Sequence, residues 1–203
     1  DLFRRHVGDE VARAALERGT ELGGERHEAT AVFVDVIGST TLATQRTPTE
    51  VVDVLNRFFQ VIVEAVEGHD GLVNKFEGDA VLAIFGAPLE LDDPAGAALA
   101  ASREIADRLV TEVPELEAGI GVGYGNVVAG NVGAIQRFEY TVIGDPVNES
   151  ARLSEVAKQE PRLPFASERA VAAAELEESS RWQERSAVVL RGRSESTTIF
   201  TPR

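Results

Sequence analysis

The sequence predicts an α+β domain with a β-α-β-β-α-β core and a mostly antiparallel sheet. Short runs rich in β-branched and aromatic residues alternate along the chain with two long stretches of helical periodicity. Two of the strand runs lie within residues 71–85 and are separated by a tight turn, which indicates an antiparallel hairpin. We expect the helices on one face of the sheet and further strands and helices after the core.

The first half of the core has clear boundaries in the sequence. Residues 2–18 have helical periodicity, and a Gly- and Glu-rich link at 19–28 leads into a strand at 30–37. Thr47 is a good N-cap, Pro48 suits the first helical position, and Glu50 has capping-box spacing. This predicts a helix that ends near Gly68, followed by the hairpin.

The second half of the core follows the same logic. Asp92, Asp93 and Pro94 predict the start of an Ala-rich helix that runs to about residue 113. A strand or hairpin is expected at 116–131, a strand at 138–143 and short strands and turns from about 160 to 200. Between them, Asp145 as N-cap and Pro146 as first residue predict a helix to about residue 159.

Composition narrows the classes of protein to consider. The 203 residues carry a net charge of −14, which argues against a nucleic-acid partner and is typical of solvated helix faces. Cysteine is absent, which excludes disulfides and thiolate metal sites, and no apolar run is long enough to span a membrane. Methionine is absent and the chain begins at Asp1, so we expect a domain excised from a longer protein.

Two acids in apolar strand surroundings are the first functional signal. Asp35 interrupts the apolar strand at 30–37, and Asp79 stands at the start of the second hairpin strand, after a predicted turn at Glu77 and Gly78. Strand cores disfavour charge, so these carboxylates have little structural justification. If they are adjacent in one sheet, they form a site for a hard cation.

Two further segments suit an anionic ligand. The turn at 37–41 follows the strand of Asp35 and precedes a helical region, so its backbone N–H groups can face an anion; N-capping by Ser39 or Thr40 is the alternative. Asn148 and Arg152 are spaced i, i+4 near a helix N-terminus and suit a charge-rich transition state; a local salt bridge is the alternative. The alternating glycines at 119–125 lack the dinucleotide-binding spacing and indicate close backbone packing.

Together these segments resemble the catalytic domain of the class III nucleotidyl cyclases, the adenylyl and guanylyl cyclase family. The resemblance covers residues 28–155 and implies a palm-type core in a catalytic domain at 28–203. Residues 1–27 look like the helix and linker that follow an upstream regulatory module in mycobacterial-type adenylyl cyclases. The matching segments, in the family's order, are Phe33–Thr40 (FVDVIGST), Asn74–Asp79 (NKFEGD), Gly119–Gly123 (GIGVG) and Tyr140–Arg152 (YTVIGDPVNESAR).

The resemblance implies a two-metal cyclisation of ATP to 3′,5′-cyclic AMP and pyrophosphate. Two Mg²⁺ or Mn²⁺ ions per site would lower the pKa of the ribose 3′-hydroxyl as it attacks the α-phosphate. The implied roles fall on three groups of residues. They are Asp35, Asp79 and the carbonyl of Val36 for the metals; Asn148 for the ribose and Arg152 for the transition state; and Ile37, Gly38, Ser39, Thr40 and Arg191 for the triphosphate.

Base recognition is implied to rest on Lys75 and Thr141. Lys75 matches the base-reading lysine of adenylyl cyclases, where guanylyl cyclases typically have glutamate. Thr141 stands where many members have aspartate; some bacterial subclasses are similar in using threonine. The family pattern therefore implies ATP as substrate, with weak GTP turnover as an alternative.

The resemblance also implies a homodimer with active sites at the subunit interface, in the cytoplasm, with any membrane contact made by regions outside this chain. The metal aspartates would come from one subunit, and the base-reading pair with Asn148 and Arg152 from the other. Two alternatives remain: a catalytically silent, dimeric nucleotide-binding module, and a palm-type enzyme such as a dinucleotide cyclase. The second is expected to carry a Gly-Gly-acidic motif, which residues 77–79 do not supply.

Overall fold

An eight-stranded sheet organises residues 22–134 and 137–203, which the computed structural model describes. The strands are β1 (Gly23–Ile37), β2 (Leu72–Glu77), β3 (Ala80–Phe85), β4 (Glu117–Ala134), β5 (Arg137–Gly144), β6 (Phe165–Ser167), β7 (Trp182–Val189) and β8 (Ser196–Pro202). Their order is β2-β3-β1-β4-β6-β8-β7, with β5 paired to the second half of β4. Only β4 and β6 pair in parallel among these strands, so the mostly antiparallel prediction is confirmed.

Six helices connect these strands in the described part of the chain. They are α1 (Ser39–Gln45), α2 (Pro48–Gly68), α3 (Pro94–Glu112), α4 (Asp145–Ala157), α5 (Glu168–Ala173) and α6 (Leu176–Ser179). The α+β class and the predicted core order are therefore confirmed, with β5–β8 and α4–α6 as the additions that follow the core. No helix in the described ranges has both the length and the apolar character that crossing a bilayer requires.

The two core helices, α2 and α3, lie on one face of the sheet, as predicted, whereas the later helix α4 lies on the other face. Alternate residues of β4 point to opposite faces. Ala118, Ile120 and Val122 belong to the main core, together with buried residues of α2 and α3. Gly119, Gly121 and Gly123, which alternate with them, contact the backbone of α4. The placement of α4 was not predicted, because local periodicity shows that a helix has an apolar side but not which face of the sheet receives it.

A second core lies on the α4 face. Tyr140 and Val142 of β5 pack with Ala31 of β1 and with Leu82 and Ile84 of β3. Among the described strands, β5 pairs only with β4, yet these contacts bring it across the sheet toward the β2–β3 hairpin. That placement brings residues of β2 and β5 together.

The predicted starts of two helices are confirmed in atomic detail. Thr47 and Glu50 form both hydrogen bonds of a capping box at the start of α2. The side chain of Asp93 accepts a hydrogen bond from the backbone N–H of Gly96 at the start of α3. In both cases a local side-chain contact decides the boundary.

Three predicted boundaries are wrong. Strand β1 begins at Gly23 because residues 23–28 pair with residues 126–131 of β4, a contact that the local Gly- and Glu-rich composition does not reveal. The N-cap of α4 is Gly144, and Asp145 is instead bound by arginines of distant segments. The hairpin turn is formed by Gly78 and Asp79, since Glu77 pairs with Ala80. The helix expected at residues 2–18 lies outside the described residues.

The contact between α4 and β4 predicts a strong effect of a single methyl group. A Cβ atom on Gly121 would lie 2.0 Å from the backbone oxygen of Ser150. We therefore expect Gly121→Ala to push α4 from the sheet and to lower the free energy of unfolding by about 1–3 kcal/mol. Urea unfolding measures this change.

Gly68→Ala in α2 is the matched control, because a Cβ atom there meets nothing within 4 Å. Equal stability of the two variants would contradict close packing of α4 on β4.

Candidate active site

The two predicted metal-binding acids lie at one end of adjacent strands. Asp35 of β1 pairs with Ala80 of β3, and Asp79 immediately precedes Ala80 in the hairpin turn. Both side chains are partly exposed, so an ion can reach them. The adjacency that the sequence analysis required for a cation site is therefore present.

Lys158, just beyond α4, contacts one of these acids. Its Nζ lies 2.6 Å from Oδ2 of Asp35 and 2.8 Å from Oε2 of Glu155. Burial lowers the pKa of Lys158, but the hydrogen bonds to Asp35 and Glu155 outweigh burial and raise that pKa above its ordinary value. Lys158 thus stays charged beside Asp35. Sequence reasoning missed this residue, because only the packing of α4 on Gly119 brings it there.

The donor set fits a hard divalent cation. Within the described ranges no three acidic or histidine side chains converge on one point. Mg²⁺ is commonly held by one or two carboxylates, with the remaining positions filled by water and substrate phosphates. Asp35, Asp79 and the backbone carbonyl of Val36 satisfy this pattern, because all of their donors are oxygens.

The second pair of predicted residues, Lys75 and Thr141, also meets in one place. The Oγ1 hydroxyl of Thr141 donates a hydrogen bond of 3.4 Å to Oδ1 of Asn74, the neighbour of Lys75. Nζ of Lys75 lies 3.5 Å from a carboxylate oxygen of Glu139 on β5 and 3.5 Å from one of Glu77. An ammonium and a hydroxyl therefore occupy the same corner, between two strands that do not pair with each other.

The turn after β1 has the geometry of an open helix start. Gly38 is the N-cap of α1, with φ of 76°, a left-handed conformation that favours glycine. No side chain caps this helix start, so the alternative of an N-cap by Ser39 or Thr40 is wrong.

Asn148 and Arg152 both lie on α4, and the turn that carries Arg191 sits against this helix. Asn148 is exposed and Arg152 is partly buried. A Cβ atom on Gly192 would lie 3.5 Å from Nη2 of Arg152. The structure therefore brings Arg152 next to residues 191–193.

A cluster of ion pairs holds the 191–193 turn against α4, and the sequence did not predict it. Arg193 binds Oδ1 of Asp145 at 2.6 Å and Oε1 of Glu149 at 3.2 Å. Arg169 of α5 binds the same two acids at 2.8 and 3.1 Å. Partial burial raises the pKa of Asp145, but the hydrogen bonds from Arg169 and Arg193 outweigh it and hold that pKa below its usual range. The cluster ties the 191–193 turn to the start of α4.

The predicted residues thus form separate groups within one chain. Asn148 precedes Lys158, the contact of Asp35, by ten positions, which corresponds to about 15 Å along a helix axis. The structure brings Asp35 near Asp79, and it brings Lys75 near Thr141. Asn148 is not brought to the acids.

Comparison with known proteins gives a consistent result. A family model described as "Adenylate and Guanylate cyclase catalytic domain" matches residues 24–201. The uncharacterized protein Rv1318c of Mycobacterium tuberculosis is 56% identical over 202 residues, which is 100% of this chain and 37% of that protein. The chain thus spans little more than a third of the length of the curated relatives it matches.

Two solved structures have a similar fold. The guanylyl cyclase Cya2 is 30% identical, with a TM-score of 0.79, and the alignment covers 89% of this chain and 94% of that chain. The adenylyl cyclase CyaB from P. aeruginosa is 23% identical, with a TM-score of 0.80, over 90% of this chain and 96% of that chain. The family match extends over nearly the whole described region. The chain belongs to the family of adenylate and guanylate cyclase catalytic domains.

Proposed function

We propose that this domain is an adenylyl cyclase that converts ATP to 3′,5′-cyclic AMP and pyrophosphate. The observation that carries the choice of ATP is the meeting of Lys75 and Thr141 in one corner, linked through Asn74 and Glu139. A lysine ammonium only donates hydrogen bonds. It therefore complements N1 of adenine, an acceptor, and opposes the N1–H of guanine, a donor.

Asn148 and Arg152 act on the reacting part of the substrate. The Asn148 amide orients the ribose, and the Arg152 guanidinium stabilises the charge that develops on the α-phosphate. The ion pairs of Arg193 support this role, because they tie the turn beside Arg152 to the start of α4. Residues 37–40 and Arg191 hold the triphosphate.

Asp35, Asp79 and the carbonyl of Val36 hold two Mg²⁺ or Mn²⁺ ions in this proposal. When bound, such ions neutralise phosphate charge and acidify the ribose 3′-hydroxyl. The pairing of Asp35 with Ala80 supports the assignment, because Asp79 immediately precedes Ala80 and the two acids therefore lie at one end of neighbouring strands.

Each active site is completed by a second copy of the chain. The distance of about 15 Å along α4 between Asn148 and Lys158 supports this arrangement, because Lys158 marks the position of Asp35. An isologous homodimer holds two equivalent sites. The metal-binding acids of one copy then face four residues of the other copy. These are the base-reading pair, Lys75 and Thr141, together with Asn148 and Arg152.

Guanylyl or dual specificity is the second candidate function. A threonine hydroxyl can donate as well as accept a hydrogen bond, so Thr141 does not reject guanine by charge as aspartate would.

The reaction itself can be tested directly. With Mg²⁺ or Mn²⁺ we expect cyclic AMP from ATP and at most weak formation of cyclic GMP from GTP, measured by chromatography of the products. Lys75→Glu combined with Thr141→Cys should favour GTP, because glutamate accepts the hydrogen bonds that guanine donates. An unchanged ATP preference would contradict the base assignment, and no product from either nucleotide would indicate a silent module.

The shared site gives a separate prediction. Asp35→Ala and Arg152→Ala chains should each be inactive alone. Mixed in equal amounts, they should recover roughly a quarter of the wild-type activity, because half of the dimers then hold one intact site of two.

Dilution of the wild type is the accompanying measurement. Activity per chain should fall at concentrations where sedimentation shows monomers, whereas a fully active monomer or no recovery in the mixture would contradict the shared site.

A further prediction concerns Lys158. Its charge beside Asp35 opposes a divalent cation, so Lys158→Gln should tighten Mn²⁺ binding about two- to fivefold, which corresponds to about 0.5–1 kcal/mol. Calorimetric titration without nucleotide measures this constant. Lys158→Arg, which retains the charge, should bind Mn²⁺ as the wild type does. Weaker binding in Lys158→Gln would mean that the lysine supports the metal site.

A further inference from the structure

We propose that Asn74 sets the purine preference of the site by fixing the direction of the Thr141 hydroxyl. This inference rests on the proposed function and assigns a specificity-determining role to a third side chain beside Lys75 and Thr141.

The hydroxyl of Thr141 has a fixed direction as a hydrogen-bond donor. Thr141 is 7% exposed, and its Oγ1 lies 3.4 Å from Oδ1 of Asn74. An amide oxygen only accepts hydrogen bonds, so the hydroxyl must be the donor. Its single hydrogen points toward Asn74, and its remaining lone pairs are left to accept from a ligand.

An irregularity in β2 directs the side chain of Asn74 toward β5. Val73 pairs with Ala83 and Lys75 pairs with Leu82, so Asn74 is an extra residue in the pairing of β2 with β3. Consecutive residues of a regular strand point to opposite faces. Here Asn74 contacts Thr141 while Lys75 contacts Glu139, both on β5. A bulge re-aims side chains, and this one turns two neighbouring residues toward the same strand.

The amide nitrogen of Asn74 is the remaining observation. Within the described residues, Nδ2 of Asn74 is buried and has no hydrogen-bond partner. A buried polar group without a partner is unfavourable for stability. Asn74 is therefore a poor choice for folding alone, which points to a role in the site.

The chemistry follows from the two purines. Adenine presents an amino group, a donor, where guanine presents a carbonyl oxygen, an acceptor. A hydroxyl whose hydrogen is committed to Asn74 accepts from the adenine amino group and repels the guanine oxygen. Without Asn74 the hydroxyl is able to rotate and donate to guanine.

Two substitutions separate these possibilities. Asn74→Leu removes the acceptor, and we expect the ratio of kcat/KM for ATP to that for GTP to fall about tenfold, mainly through faster GTP turnover. Asn74→Asp keeps an acceptor oxygen and should retain the wild-type ratio or exceed it. In a Thr141→Val background, Asn74→Leu should not change the ratio, because the hydroxyl is gone.

A binding measurement separates this inference from the proposed function. Competition of the α,β-methylene analogues of ATP and GTP, which cannot release pyrophosphate, against a fluorescent nucleotide gives the ratio of the dissociation constant for the GTP analogue to that for the ATP analogue. Asn74→Leu should lower this ratio about tenfold even if no cyclic product forms. Absence of product from the wild type would overturn the proposed function alone. A binding ratio unchanged in Asn74→Leu, or lowered in Asn74→Asp, would overturn the role of Asn74 alone, and thermal melting checks that each variant is folded.

Discussion

The close contact of α4 with the glycines of β4 is the constraint on which the rest of the site depends. A Cβ atom on Gly119, Gly121 or Gly123 would lie 2.0–2.7 Å from a backbone oxygen of α4. The helix backbone therefore rests directly on the strand, with no side chain between them to allow sliding. This contact sets the position of Asn148, Arg152 and Lys158 relative to Asp35, whose partner on β4 is Gly119.

Charge organises the surroundings of this helix. At its start, Asp145 and the buried Glu149 share two arginines, which join α4 to α5 and to the turn at 191–193. Beyond its end, Lys158 balances Asp35. The first cluster joins the turn beside Arg152 to α4, and Lys158 places a positive charge against the proposed metal-binding Asp35.

Sequence reasoning succeeded where the cause of a structure is local. The starts of α2 and α3 were predictable because Thr47 with Glu50, and Asp93, bond to backbone within three residues. Asp35 and Asp79 were identifiable because charge is rare beside apolar strands. Lys158 and Arg193 were not predictable, because their partners are distant in sequence. The role of Asp145 was misjudged for the same reason, since two distant arginines bind the side chain that would otherwise cap the helix.

The central claim is that two copies of the chain build each active site. One copy supplies the metal-binding acids, and the other supplies the residues that recognise the base. A crystal structure with Mn²⁺ and α,β-methylene ATP, which cannot release pyrophosphate, tests it most directly. The account predicts metal density bound by Asp35 and Asp79 of one subunit, with the adenine of that nucleotide against Lys75 and Thr141 of the other. A nucleotide whose metals and base are bound by a single chain, or metals bound away from Asp35 and Asp79, would contradict it.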